Sequence, residues 1–119
     1  MTVALLGRDL LFGSRIAAAA ERAGVPFMRT DDPGAVPPAA EVRTLFVDWG
    51  DRGPDWGPRL RAWCAGAPET ARPRVILFGP HVDLEAHAAA REAGLGPIMA
   101  RSKLLADLPV LLTRPWPGP

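Results

Sequence analysis

Short apolar runs and segments of helical periodicity alternate along the whole chain. Apolar and β-branched runs predict strands, whereas apolar positions three and four residues apart predict helices. Strands that alternate with helices are typical of a parallel sheet covered by helices on both faces. The first, third and fourth runs are the most continuously apolar, so we expect those strands to be the most buried. The predicted strands lie near residues 2–7, 25–29, 43–48, 74–78 and 97–100.

Three helices are predicted after the first, third and fourth strands. The first spans residues 10–24, where the apolar positions share one face. The second spans residues 55–64, with Asp55 as the residue that caps its amino terminus. The third spans residues 84–93, with Asp83 in the same capping role.

The second and the last connections depart from this regular repeat. Residues 30–42 predict a loop with at most one helical turn, because Asp, Pro and Gly are frequent there. Pro109 cannot lie deep inside a helix without a lost backbone hydrogen bond and a steric clash. We therefore predict that the last helix begins near Asp107, with Leu104 and Leu105 in a preceding turn.

Length and composition fit one globular domain. The 119 residues are 48% hydrophobic and carry a formal net charge of +1, so we expect one domain over residues 1–119 with a short Pro-rich tail at 115–119. No apolar run approaches the ~20 residues that a membrane span requires. The first residues read as a strand rather than as a signal peptide. We expect a cytoplasmic protein without membrane association.

Two further function classes are disfavoured by composition. The single cysteine, Cys64, excludes an intramolecular disulfide and a cysteine-based zinc cluster. The arginines are scattered among the acidic residues and form no basic stripe, so we expect no nucleic-acid partner.

The third predicted strand ends on an aspartate, in the run Val47-Asp48-Trp49. Ligands of open parallel sheets bind outside the carboxyl ends of the strands, so Asp48 is the first candidate functional residue. Repeated strand–helix units of this length, with an aspartate at this point, resemble the receiver domain of bacterial response regulators. The resemblance implies a three-layer flavodoxin-like fold with strand order 2-1-3-4-5, and it makes Asp48 the equivalent of the phosphoacceptor.

The chain departs from the receiver pattern at three places. Receivers carry two acidic residues after the first strand, where this chain has Arg8 and Asp9. They carry Thr or Ser after the fourth strand, where this chain has Gly79, and Lys-Pro after the fifth, where Arg101 and then Lys103 follow. Phosphoryl transfer to a carboxylate depends on Mg²⁺ and a cation, so these losses imply a pseudo-receiver, which keeps the fold without a phosphorylation cycle.

The candidate rim site consists of Arg8, Asp9, Asp48, His81 and Arg101. We interpret Asp48 as an ionised carboxylate paired with Arg8, because a guanidinium fork suits a carboxylate. In one alternative, Asp48 accepts phosphate, Arg101 or Lys103 takes the place of the receiver lysine, and Mg²⁺ binds Asp9 and Asp48. In another, His81 joins the two aspartates in a metal or acid–base site. We assign no catalytic residue, and we expect no cofactor except Mg²⁺ in the first alternative.

The leading hypothesis is a stand-alone pseudo-receiver in signal transduction, which acts as a non-phosphorylated regulatory or protein-interaction module rather than as an enzyme. The alternatives are a small ligand-binding or metal-dependent enzyme domain at the rim, and an active single-domain receiver phosphorylated on Asp48. Five leucines crowd the last segment, and a helix there can bury only one face, so we predict a homodimer or a protein partner on that surface. These leucines are Leu104, Leu105, Leu108, Leu111 and Leu112.

Overall fold

Five parallel strands form one sheet in the order β2-β1-β3-β4-β5. The structure is a computed structural model that describes residues 1–113, so the Pro-rich tail and Trp116 lie outside the described residues. The predicted strand order and the flavodoxin-like arrangement are confirmed. The strands are β1 (Thr2–Leu6), β2 (Phe27–Thr30), β3 (Val42–Asp48), β4 (Arg74–Phe78) and β5 (Ile98–Met99).

Within residues 1–113, four α-helices cover the two faces of the sheet. They are α1 (Leu10–Arg22), α2 (Trp56–Ala65), α3 (Leu84–Glu92) and α4 (Arg101–Thr113). The helices α1 and α4 pack on one face, and α2 and α3 pack on the other. None of the helices in residues 1–113 is long and apolar enough to cross a membrane.

The central strand contributes to both cores because successive side chains of a strand point to opposite faces. Leu45 and Val47 of β3 pack with α2 and α3, whereas Phe46 packs with α1 and α4. A strand buried on both faces requires apolar residues at consecutive positions, which explains the unbroken runs in the sequence. The expected order of burial is confirmed, because β1, β3 and β4 contain four, six and three buried residues, whereas β5 contains one and β2 none.

Of the two predicted helix caps, the structure confirms the one at α3 but not the one at α2. The Oδ1 atom of Asp83 accepts hydrogen bonds from the backbone N–H groups of Glu85 and Ala86 at 2.9 and 3.2 Å, so the predicted cap of α3 is confirmed. Asp55 precedes α2 as predicted, but its side chain makes no capping hydrogen bond. Its carboxylate instead lies 3.4 Å from the guanidinium of Arg59, one helical turn further along.

The connection between β2 and β3 contains no α-helix. Two single 3₁₀ turns, Pro33–Ala35 and Ala39–Glu41, occupy it, in agreement with the predicted loop and short helical turn. The indole N–H of Trp63 on α2 donates to the carbonyl of Pro37 at 2.7 Å and holds this loop against the helix. The loop therefore covers the part of the sheet that a further helix would otherwise cover.

The predicted start of the last helix is wrong. Helix α4 begins at Arg101 and continues through Pro109, which lies inside it. A proline in a helix interior costs about 3 kcal/mol. Burial of one leucine side chain contributes about 1.5–3 kcal/mol, and α4 buries three of them at four-residue intervals on one face. The combined burial of Leu104, Leu108 and Leu112 therefore exceeds the cost of the proline.

The last helix buries three of the five leucines that suggested a partner surface and leaves the other two partly exposed. Leu104, Leu108 and Leu112 are buried, and Leu105 and Leu111 are partly buried against the same core. These residues pack in the hydrophobic cluster that α4 shares with α1 and the sheet. A homodimer or protein partner remains a prediction, but the three buried leucines are not available to contact one.

Substitution of one α4 leucine tests this packing. Leu104→Ala should lower the free energy of unfolding by about 3 kcal/mol, because a fully buried leucine leaves a cavity. The neighbouring control Leu105→Ala should cost about 1 kcal/mol, since that side chain is only partly buried. Urea denaturation followed by circular dichroism measures both. Equal small losses would contradict a helix that begins at Arg101.

Candidate functional site

The carboxylate of Asp48 lies at the carboxyl end of β3, and the residue is only 2% exposed. Its Oδ1 atom accepts a hydrogen bond from the backbone N–H of Gly50 at 3.1 Å. Its Oδ2 atom accepts one from the guanidinium of Arg101 at 2.6 Å. Both carboxylate oxygens of Asp48 therefore have partners within the protein.

Arg101 reaches Asp48 from the first position of α4, directly after β5. Its guanidinium lies over two phenyl rings, 5.3 Å from the centroid of Phe12 and 5.2 Å from that of Phe78. The two rings are stacked with centroids 4.6 Å apart. Such cation–π contacts add to the ion pair and fix the plane of the guanidinium. Arg101 is thus held by a carboxylate at one side and by this aromatic pair beneath it.

Asp9 contributes a second carboxylate to the same guanidinium. Its Oδ1 atom caps α1 by accepting a hydrogen bond from the backbone N–H of Phe12 at 2.9 Å. Its Oδ2 atom lies 3.6 Å from Nη1 of Arg101, which is an ion-pair distance but too long for a hydrogen bond. Nη1 is buried and has no hydrogen-bond partner among residues 1–113. One arginine therefore neutralises two carboxylates that come from different strands.

The predicted ion pair between Arg8 and Asp48 is wrong. Arg8 is exposed, and only its backbone N–H engages the site, as a donor to Oδ2 of Asp51 at 2.9 Å. The chain after β1 passes very close to Asp48, since a Cβ atom at Gly7 would lie 2.9 Å from the Cβ of Asp48. The arginine that pairs with Asp48 is Arg101. It follows β5, which lies on the opposite flank of β3 from β1.

His81 lies near this rim but is not joined to the carboxylates. Its Nδ1 atom is 3.3 Å from the carbonyl of Gly79, and its own carbonyl accepts a hydrogen bond from Nε2 of His87 at 2.6 Å. These contacts organise the loop between β4 and α3. None of the hydrogen bonds or ion pairs described for residues 1–113 links His81 to Asp48 or Arg101.

Gly79 lies close to Asp48 and has a backbone conformation that favours glycine. Its φ angle is +120°, a conformation that side-chain-bearing residues rarely adopt. A Cβ atom there would lie 3.3 Å from Oδ1 of Asp48. The position where receivers carry a hydroxyl residue is therefore specifically a glycine position in this chain.

Burial raises the pKa of the Asp48 carboxyl above its ordinary value of 3.8. The hydrogen bond and the positive charge of Arg101 oppose this effect, as does the N–H of Gly50, whereas the charge of Asp51 reinforces it. The ionised form of Asp48 therefore depends on Arg101. Among residues 1–113, no three His, Cys, Asp or Glu side chains lie close enough to hold a metal ion together.

The sequence interpretation missed Phe12, Phe78 and Asp51 as members of this site. Phe78 is the last residue of β4 and Phe12 lies in the first turn of α1, so both occur at the carboxyl edge of the sheet. That location was a usable signal. The sequence pattern predicts only that these apolar residues are buried in the core. Their cation–π contact with Arg101 depends on the position of that arginine in the folded structure.

The sequence matches no protein-family model and no curated protein. Among solved structures, the chain is similar to that of a response regulator from Thermotoga maritima, with a TM-score of 0.65 and 14% sequence identity. The match covers 96% of this chain and 98% of the other. At this identity the likeness establishes the fold alone: this chain has the receiver-like, flavodoxin-like fold.

Replacement of the arginine tests the site directly. Arg101→Ala leaves the buried carboxylate of Asp48 without a cation, which costs several kcal/mol when both partners are buried. Because the Arg101 side chain is 42% exposed, we expect a smaller loss of about 2 kcal/mol in the free energy of unfolding. The matched control Arg8→Ala should change it by less than about 0.5 kcal/mol. Guanidinium chloride denaturation measures both, and equal effects would contradict the pairing.

The same variant should change the dependence of stability on pH. Because the folded pKa of Asp48 is raised, its contribution to stability is complete below pH 3.8 and is lost as the pH rises through the folded pKa. Arg101→Ala removes the two largest lowering effects, so that pKa should rise further and the loss should extend to higher pH. Titration of the Asp48 carboxyl ¹³C resonance checks the direction. An unchanged or lower pKa in the variant would contradict the assignment.

Proposed function

We propose that this protein is a pseudo-receiver, a receiver-like domain that acts as a regulatory or protein-interaction module without phosphorylation of Asp48. The observation that carries the proposal is the 2.6 Å hydrogen bond between Arg101 and Oδ2 of Asp48. The Gly50 N–H occupies the other oxygen, and the residue is almost fully buried. The burial of Asp48 limits the access of a phosphoryl donor, and the hydrogen bonds from Arg101 and Gly50 reduce the nucleophilicity of its oxygens.

The charges around Asp48 support the same proposal. Mg²⁺ is held by oxygen ligands in near-ideal octahedral geometry, usually with one or two carboxylates. The carboxylates that would provide them, Asp9 and Asp48, both face the guanidinium of Arg101. A guanidinium keeps its charge throughout the accessible pH range and cannot exchange with solvent as a metal ion does. These residues therefore do not fit a magnesium site while Arg101 is in place.

The surroundings of Gly79 bear on the response to phosphorylation. The resemblance to receivers implies a hydroxyl residue here, and Gly79 has no hydroxyl to donate to a phosphoryl oxygen. The φ angle of +120° and the nearness of Oδ1 of Asp48 leave little room for a side chain. A domain built in this way lacks a means of converting phosphorylation into a change of loop position.

Exposed apolar residues at the carboxyl edge support an interaction role. Residues 1–113 contain six large hydrophobic side chains that are exposed, and four of them belong to the loops and first helical turns after β1 and β4. Exposed apolar groups near one edge are typical of protein-binding surfaces. The four are Leu10, Leu11, Val82 and Leu84, with exposed fractions of 67, 71, 82 and 83%.

An active receiver is the second candidate, and one observation favours it. Arg101 follows β5 directly, at the place where the resemblance puts the receiver lysine, and it contacts Asp48 as a lysine there would. On this alternative, Arg101 neutralises a phosphoryl group on Asp48. The two candidates differ in whether Asp48 can be phosphorylated.

Incubation with acetyl phosphate and Mg²⁺, followed by intact-mass measurement, separates them. We expect no added phosphoryl group, because Asp48 is buried and paired with Arg101 and the site does not fit Mg²⁺. An active receiver treated in the same way serves as the positive control. Stoichiometric modification of the wild-type protein that disappears in Asp48→Asn would overturn the pseudo-receiver proposal.

The exposed edge residues should be dispensable for folding. Val82→Asp and Leu84→Asp should change the free energy of unfolding by less than about 0.5 kcal/mol, because both side chains are more than four-fifths exposed. Leu77→Ala, in the buried part of β4, should cost about 3 kcal/mol as the matched control. Chemical denaturation measures all three. Losses above about 1 kcal/mol in the aspartate variants would assign these residues to the fold instead of to a partner.

A further inference from the structure

A groove runs between α2 and α3 on the face of the sheet opposite α1 and α4. Its volume is about 540 Å³, and its walls are formed by small or rigid residues: alanines of both helices and the prolines at positions 54 and 58. The only charged residues in its lining are Arg61 on α2 and Glu92 on α3. The groove is therefore an apolar channel with one cation on one wall and one anion on the other.

The small side chains explain why this groove exists. The two helices approach closely at one point, since a Cβ atom at Gly57 would lie 3.0 Å from the Cβ of Ala93. Elsewhere Ala62, Ala65 and Ala89 are too short to fill the space between the helices. Small residues also allow a second backbone to approach, so the surface is suited to contact with another protein.

Arg61 and Glu92 are exposed, and neither side chain has an ion-pair or hydrogen-bond partner among residues 1–113. Several other exposed charges, such as Arg15 and Glu21, also lack an ion pair within residues 1–113, but Arg61 and Glu92 line the same groove, one from each helix. The groove thus carries an unpaired positive charge on the α2 side and an unpaired negative charge on the α3 side.

We propose that the occupant of this groove is a second copy of the chain, related by a two-fold axis that runs along the groove. Such an axis places the α2 wall of one copy against the α3 wall of the other. Arg61 of each copy then faces Glu92 of the other, so the two unpaired charges form two equivalent ion pairs. A two-fold interface requires this kind of self-complementary surface.

The alkyl stems of the arginines fill part of the apolar channel. An arginine side chain can bury its methylene groups along an apolar surface while its guanidinium reaches a carboxylate. Each Arg61 would lie over the alanines of the opposite groove on its way to Glu92. This dimer does not involve Asp48 or Arg101, so it is independent of whether Asp48 is phosphorylated.

Sedimentation velocity of the full chain and of charge-reversal variants tests the proposal. We expect wild-type protein to dimerise reversibly in the micromolar range. Arg61→Glu and Glu92→Arg should each weaken self-association about tenfold or more, because each creates two like-charge contacts across the axis. The double variant R61E/E92R should restore the wild-type dissociation constant, since it exchanges the two charges and keeps their complementarity.

Two further variants serve as controls, one for the shape of the groove and one for the change of charge. Ala62→Trp places bulk in the groove without a change of charge and should also produce a monomer. Arg15→Glu makes the same charge change on the exposed surface of α1, on the other face of the sheet, and should leave the dimer unaffected. Circular dichroism confirms that each variant is folded before it is compared.

Several outcomes would overturn the proposal. They are a wild-type protein that stays monomeric at every concentration, a dimer that Arg61→Glu and Glu92→Arg leave intact, and a double variant that fails to recover. A dimer that dissociates with Arg15→Glu but not with Arg61→Glu would place the contact on the α1 face and would equally reject the α2–α3 groove.

Discussion

The ion pair between Arg101 and Asp48 connects the last strand of the sheet to its centre. Asp48 ends the most buried strand, where burial alone favours its neutral form. Arg101 opposes that effect through a short hydrogen bond and a full positive charge. At this edge of the sheet, one guanidinium therefore contacts two carboxylates and two aromatic rings.

The arrangement of the fold makes this contact possible. Strand β4 separates β3 from β5, so an arginine that follows β5 must cross the end of β4 to reach Asp48. Phe78, the last residue of β4, provides an apolar surface for that crossing, and Phe12 of α1 extends it. The chain then turns at Gly79, where a Cβ atom would lie 3.3 Å from Oδ1 of Asp48. Sheet order and the glycine together determine which cation meets the carboxylate.

The sequence was sufficient for the sheet but not for its last helix. Unbroken apolar runs such as 43–48 specify strands buried on both faces, and their alternation with helices specifies parallel pairing. Pro109 predicts a later start for α4, because the cost of a proline inside a helix is visible in the local sequence. The burial of Leu104, Leu108 and Leu112, which outweighs that cost, depends on the tertiary packing. Asp9 and Asp48 were identified as site residues from their positions at strand ends. Whether Arg8 or Arg101 pairs with Asp48 depends on the directions of side chains that follow β1, β3 and β5. No local sequence pattern encodes those directions.

In the proposed pseudo-receiver, the guanidinium of Arg101 lies between Asp9 and Asp48, where a receiver would bind a metal ion. Titration with Mg²⁺ and beryllofluoride, a mimic of a phosphoryl group, tests this proposal most directly when ¹H–¹⁵N NMR follows the amides of Gly50 and Gly79 and the side chain of Arg101. We expect that these resonances do not move. Saturable shifts of all three groups that disappear in Asp48→Asn would contradict it.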